Sequence, residues 1–268
     1  ECLFRHGTPG WGDVLGGSFV SKYQDDQDPA LNLPLNVGCY GGRITVNNGG
    51  FNFFAEGAYK INDPSSSNEY SFRDGKAFYF TTSYGAHGFS ASIAGKMIDN
   101  MSFRSDRGAK NMNAMINFLP ALTKPHTYLM MAYYPYATQP NGEYGGQGEL
   151  QYKAKKGTKL GGKYGWEATL NGSFAYGTDT TRIPATNDPK HYNYTINYSN
   201  VFTKNSFFSP EDPRKYFSDV NLEFNTKFSK KVKMTLMYSH QYYNKNIVQF
   251  NSPNAGYDNI KTHIVVAD

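Results

Sequence analysis

Hydrophobic and polar residues alternate along most of this chain, the period-two pattern of strands whose two faces meet different surroundings. Between 219 and 228, Val220, Leu222, Phe224 and Phe228 alternate with Asn221, Glu223, Asn225 and Lys227. After a turn at 229–230, Val232, Met234, Leu236, Tyr238 and Tyr242 share one face opposite Lys233, Thr235, Ser239 and Gln241. Tyr164, Trp166, Ala168, Leu170, Phe174 and Tyr176 likewise oppose Lys163, Glu167, Thr169, Asn171 and Ser173, and Met112, Ala114, Ile116 and Phe118 oppose Asn111, Asn113 and Asn117.

The pattern predicts about twelve strands, near 14–23, 41–48, 51–61, 76–85, 89–98, 110–119, 126–136, 146–155, 163–177, 215–228, 231–244 and 258–267. Long polar connections fall at 24–40, 62–75, 99–109, 137–145, 178–214 and 245–257, and tight ones at 48–50, 86–88, 120–125, 156–162 and 229–230. Long and short alternate. Successive links of an up-and-down sheet lie on opposite sides, so all long loops emerge on one side, as in outer-membrane barrels. The stretch 191–202 also alternates, but counting it as a wall strand breaks that parity. It is assigned to the 178–214 excursion as a strand extension or small hairpin.

Composition decides which two-faced sheet this is. Aromatics make up 16% of the 268 residues and charged residues only 18%, below the usual ~25%. The polar face carries Asn, Ser, Thr, Gln, Gly and isolated charges, whereas the wet face of a soluble sheet is more heavily charged. Tyr and Trp near strand ends suit the two interfaces of a bilayer. The longest apolar run, 128–134, is far too short for a membrane helix, so any span is made of strands. A soluble β protein with ordinary sheet aromatics is the competing reading. The expected fold is an all-β, up-and-down antiparallel transmembrane β-barrel forming one domain over 1–268.

Several stretches carry a family resemblance: Gly41-Gly-Arg43, Tyr59-Lys-Ile-Asn-Asp-Pro64, Asp99-Asn-Met-Ser-Phe-Arg-Ser-Asp-Arg107, Leu119-Pro-Ala-Leu-Thr-Lys-Pro-His-Thr-Tyr128, Tyr134-Pro-Tyr-Ala-Thr-Gln-Pro-Asn-Gly-Glu143 and Lys155-Lys-Gly-Thr-Lys-Leu-Gly-Gly-Lys-Tyr-Gly165. Over about residues 35–250 the chain resembles a Bacteroidota outer-membrane β-barrel family, domain of unknown function 6029. The resemblance implies a location and a fold and carries over no catalytic or ligand-binding residues. It also implies a longer protein, because the chain ends Ile264-Val-Val-Ala-Asp268 without the terminal aromatic common in outer-membrane barrels.

Candidate chemistry is sparse. There is no Gly-x-Ser-x-Gly elbow, the six histidines are scattered, and no His-x-x-x-His or Cys-x-x-Cys spacing occurs. Cys2 and Cys39 allow one bridge without implying it. Asp25-Asp26-Gln27-Asp28 starts like a calcium loop, but Leu31 stands where the turn glycine belongs. A net charge of +5 with scattered Lys and Arg argues against a nucleic-acid partner. No cofactor, metal or enzymatic activity is expected, although strands can assemble a Ser/His site invisible in sequence.

In this register Arg43, Glu56, Lys60, Lys96, Lys153, Lys163, Glu167 and Glu223 point to the lumen, an excess of cations that predicts weak anion preference if the lumen is open. Asp99, Arg104, Asp106 and Arg107 form either a constriction loop folded into the lumen or a self-paired surface loop. Tyr136, Tyr144, Tyr192, Tyr194, Phe207 and Phe208 are candidate contact aromatics on outer loops, for sugar rings or a partner protein, or else for loop-on-loop packing. The expected role is a porin-like pore or uptake channel for small solutes. The rival is a plugged structural or assembly barrel that binds a protein or glycan through its outer loops. Outer-membrane lipid, small solutes and another outer-membrane protein are the expected partners.

Overall fold

The computed structural model describes residues 2–8, 11–26, 31–109, 113–178, 180–184, 192–196, 214–250, 256 and 259–268. Eleven strands form one sheet: β1 (Cys2–Thr8), β2 (Trp11–Tyr23), β3 (Asn36–Asn48), β4 (Phe51–Lys60), β5 (Gly75–Ala86), β6 (Phe89–Asp99), β7 (Gly142–Ala154), β8 (Trp166–Tyr176), β11 (Lys215–Lys227), β12 (Lys233–Tyr243) and β13 (Ile260–Ala267). Each pairs antiparallel with its neighbour in chain order. β9 (Thr180–Pro184) and β10 (Tyr192–Ile196) form a separate hairpin between β8 and β11, the small hairpin foreseen for that excursion. A short helix, α1 (Lys245–Phe250), lies between β12 and β13.

Register separates the two faces. Arg43 stands opposite Glu56, Tyr79 opposite Lys96, Ser92 opposite Glu149, Glu149 opposite Asn171, and Asn171 opposite Asn221. These residues share the polar face. The other face carries Leu15, Ile44, Phe78, Ile93, Leu150, Leu170, Leu222, Leu236 and Val265, all exposed. Aromatics border this apolar band at both ends. At the long-loop end Phe19 packs on Tyr40, both exposed, with centroids 4.8 Å apart, while Tyr144 and Tyr176, 5.7 Å apart, are buried. At the short-turn end Tyr152, Trp166 and Phe224 form a row with centroids 5.5 and 5.7 Å apart.

Two sequence expectations need correction. Of the predicted strands 110–119 and 126–136, residues 113–119 and 126–136 do not join the sheet, and 110–112 lie outside the described residues; among the described residues the connection from β6 to β7, 100–141, contains only an isolated Arg104–Met115 bridge. Pro120, Pro125, Pro135 and Pro140 each remove a backbone donor, which disfavours ladder pairing there. Loop parity survives because the two segments drop out together. The second correction concerns closure: among the described residues β1 and β13 do not pair with each other, so the sheet is open. No described helix is long and apolar enough to cross a membrane.

Candidate functional site

The polar face is occupied. Segment 100–141 leaves β6, crosses the sheet and returns to β7, and strand side chains hold it along the way. Near β4, Lys60, fully buried, donates to the Ser102 carbonyl at 2.7 Å and to Asp63 at 3.2 Å, while Lys22 pairs with Asp63 at 2.7 Å. Phe103 is buried below the Lys22 ammonium, 5.4 Å from its ring centre. Near β6 and β7, Lys96 pairs with Glu143 at 2.7 Å and donates to Pro120 O at 2.8 Å and Thr138 Oγ1 at 2.6 Å. Glu143 also accepts from Gln139 N at 2.7 Å and from the Tyr136 hydroxyl. Burial, then the adjacent Glu143 carboxylate, pushes the Tyr136 phenol well above its ordinary pKa, which keeps it a donor.

Farther along, His126 Nε2 lies 2.5 Å from Asp219 Oδ2, Lys124 reaches Glu223 at 3.4 Å, and Gln241 donates to the Met131 carbonyl at 2.8 Å. Tyr128 donates to Asp268 at 2.9 Å. A ladder continues under the segment: Ser239 and Asn221 donate to Asp219 at 2.8 and 3.2 Å, and Asn171 donates to Glu149 at 3.2 Å. Sequence reading missed His126, Glu143 and Asp219. The alternating pattern did place Asp219 among polar-face residues, but nothing local marked it as an anchor for a segment distant in sequence.

Ser239, Asp219 and His126 lie together without forming a nucleophilic triad. The serine hydroxyl donates to the same carboxylate that holds the histidine, not to the histidine. Ser239 is also fully buried. Among the described residues no group of three metal-binding side chains occurs, and Cys39 is a free thiol.

The candidate lumen residues share the polar face in the strands, but their surroundings differ. Lys60 and Lys96 lie beneath the crossing segment, fully engaged. Glu223 meets Lys124 of that segment at 3.4 Å; Arg43, Glu56, Lys153 and Glu167 lie on the strand face, whereas Lys163 precedes β8 and sits 5.4 Å from the Tyr164 ring centre. In the proposed constriction loop Asp99 pairs with Arg73, Arg104 donates to Ser102 Oγ and Asn113 O, and Asp106 accepts from Gly108 N and Gln24. Arg107 donates to Pro34 O at 2.8 Å. These contacts tie the loop to Gln24, Pro34 and Arg73 of the neighbouring connections at the long-loop end.

Two aromatics expected on outer loops lie elsewhere. Tyr136 is buried against Phe217, with centroids 5.1 Å apart, and Tyr144 belongs to β7. Tyr192 and Tyr194 fall in β10, whose side chains lie outside the described residues, as do Phe207 and Phe208. Within the crossing segment Phe118, Leu129, Met130 and Tyr133 are exposed.

Residues 13–268 match the model of a family of unknown function (DUF6029). No curated protein and no solved structure matches the chain.

Proposed function

The chain belongs to that family of unknown function, and we propose that it is the wall of a bacterial outer-membrane β-barrel, with segment 100–141 as a built-in plug and no enzymatic role. The carrying observation is the engagement of polar-face side chains by this segment, from Lys60 in β4 to Gln241 in β12. A pore needs those groups solvated. Here two buried cations, Lys60 and Lys96, are neutralised by Asp63 and Glu143. The membrane assignment is supported by the exposed apolar band between two aromatic borders. Phe51 and Tyr59, both exposed on the apolar face, bracket it on β4, eight positions apart. That separation is about 27 Å along a strand, or about 20 Å at a tilt near 40°, close to the ~25 Å band of outer-membrane barrels.

In this reading the structural or partner-binding barrel takes precedence over the open, weakly anion-selective channel. Outer-membrane lipid covers the apolar band, and the long loops meet another protein or a glycan. Planar-bilayer recording on the full-length protein tests it. Inserted wild type should be silent, while Lys96→Met with Glu143→Gln should give intermittent steps as the plug loosens. Stable, large conductance from wild type would restore the channel.

A further inference from the structure

The short-turn end has a chemistry that the plug does not use. The connections on either side of the β8–β11 pair hold Lys153, Lys155, Lys156, Lys159 and Lys163 on one side and Lys227, Lys230, Lys231 and Lys233 on the other. These are nine of the chain's 27 basic residues, accompanied there by one of its 22 acids, Glu167. The region therefore carries +8, while the rest of the chain is net −3. Five of the lysines, Lys153, Lys155, Lys156, Lys227 and Lys233, converge on one cavity of about 670 Å³ with Tyr164 and Trp166 in its wall. That size lies within the ~300–1,000 Å³ range of small-molecule sites.

Register sharpens the case. Lys227 and Lys233 stand directly opposite each other in the last pair of β11 and β12. Like charges so placed destabilise a ladder. Among the described residues neither has an ion-pair or hydrogen-bond partner, and Glu167, 3.6 Å from Lys153, already accepts from Gln151 at 2.8 Å. The sheet keeps an uncompensated pair of cations at the rim of a cavity lined with three more.

We infer that this cavity binds a soluble multivalent oxyanion, a phosphate-bearing molecule, whose charge bridges Lys227 and Lys233. Lys153 and Lys155 complete the cation set, and Tyr164, in the turn before β8, supplies a wall for the rest of the ligand. The lysines of β7, β11 and β12 face the polar side of the sheet, which favours a dissolved ligand over a lipid headgroup of the surrounding leaflet. The assignment does not depend on the plug or on the membrane reading.

The full chain, in detergent micelles at low salt, would be titrated with pyrophosphate while Trp166 fluorescence is followed, with Trp11→Phe removing the second tryptophan. The expected result is a saturable change, weakened about tenfold or more by Lys227→Gln with Lys233→Gln and by raised salt. Lys230→Gln with Lys231→Gln, the same charge change on the turn outside the cavity lining, should weaken it much less. Equal weakening by both double variants would mean diffuse electrostatics and overturn the site. So would a flat titration in folded protein. A response to dihexanoyl-phosphatidylglycerol with none to pyrophosphate would move the anion into the bilayer and overturn the soluble ligand.

Discussion

Lys96 and Glu143 meet diagonally across β6 and β7, Nζ to Oε1 at 2.7 Å, with side chains 2% and 0% exposed. Lys96 stands opposite Gly145, and Glu143 opposite Ile98. The pair fixes the middle and the C-terminal part of the crossing segment, Lys96 through Pro120 and Thr138 and Glu143 through Gln139 and Tyr136. Removing one partner strands a buried charge, which typically costs about 3–5 kcal/mol. Glu143→Gln should therefore lower the urea midpoint markedly and open 100–141 to limited proteolysis. The double variant with Lys96→Met should recover part of the loss, because no lone charge remains. A midpoint equal to wild type in Glu143→Gln would remove the pair from any role in holding the segment.

Asp219 is the second anchor, accepting from Ser239 and Asn221 while contacting His126. Hydrogen bonds to a charged acceptor contribute about 1.5–3 kcal/mol each, and orphaned buried donors add to the cost of losing it. Asp219→Ala is expected to destabilise by about 3 kcal/mol or more, and Ser239→Ala by about 1.5 kcal/mol. Denaturant unfolding of the two variants checks the order. Should Ser239→Ala prove the worse, the carboxylate is not the hub.

The wall was legible because a strand with one apolar face writes its burial directly into period two. Asp219–Lys227 shows this: Val220, Leu222 and Phe224 are on the apolar side and Asp219, Asn221 and Glu223 on the other. The same rule failed for 113–118 and for 126–136. A segment lying across a sheet also has two unlike sides, so it alternates without pairing. The closely spaced prolines were the available signal. Engagement of Lys60 and Lys96 was not legible, because Ser102, Pro120 and Thr138 accept through positions set only by the segment's path.

Asp106 reports on the cap that joins 24–35 to 100–109. The Gly108 N–H, and then the Gln24 amide, hold its carboxyl below the ordinary carboxylate value. A depressed folded pKa means that its contribution is present above the unfolded value, about 4. It is lost as pH falls through the lower folded value. The Gly108 amide resonance should therefore titrate with a midpoint below 4, and Asp106→Asn should abolish that titration. A midpoint above the ordinary value would show that the contact does not persist in solution.

Neighbouring residues on β6 separate a bilayer from water as the environment of the apolar band. Ile93 is 58% exposed midway along the band, opposite Gly148, whereas Ser92 points to the polar face opposite Glu149. Lysine at the bilayer midplane of a barrel costs about 2–4 kcal/mol. At position 92 it gains Glu149 as a neighbour and stays near neutral. Insertion into lipid vesicles against urea should thus fall sharply for Ile93→Lys and hardly change for Ser92→Lys. If water covers the outer face, Ile93→Lys is tolerated and makes the protein more soluble without detergent. That outcome would sink the membrane reading while leaving the plug contacts and the lysine-lined cavity standing, since neither draws on lipid.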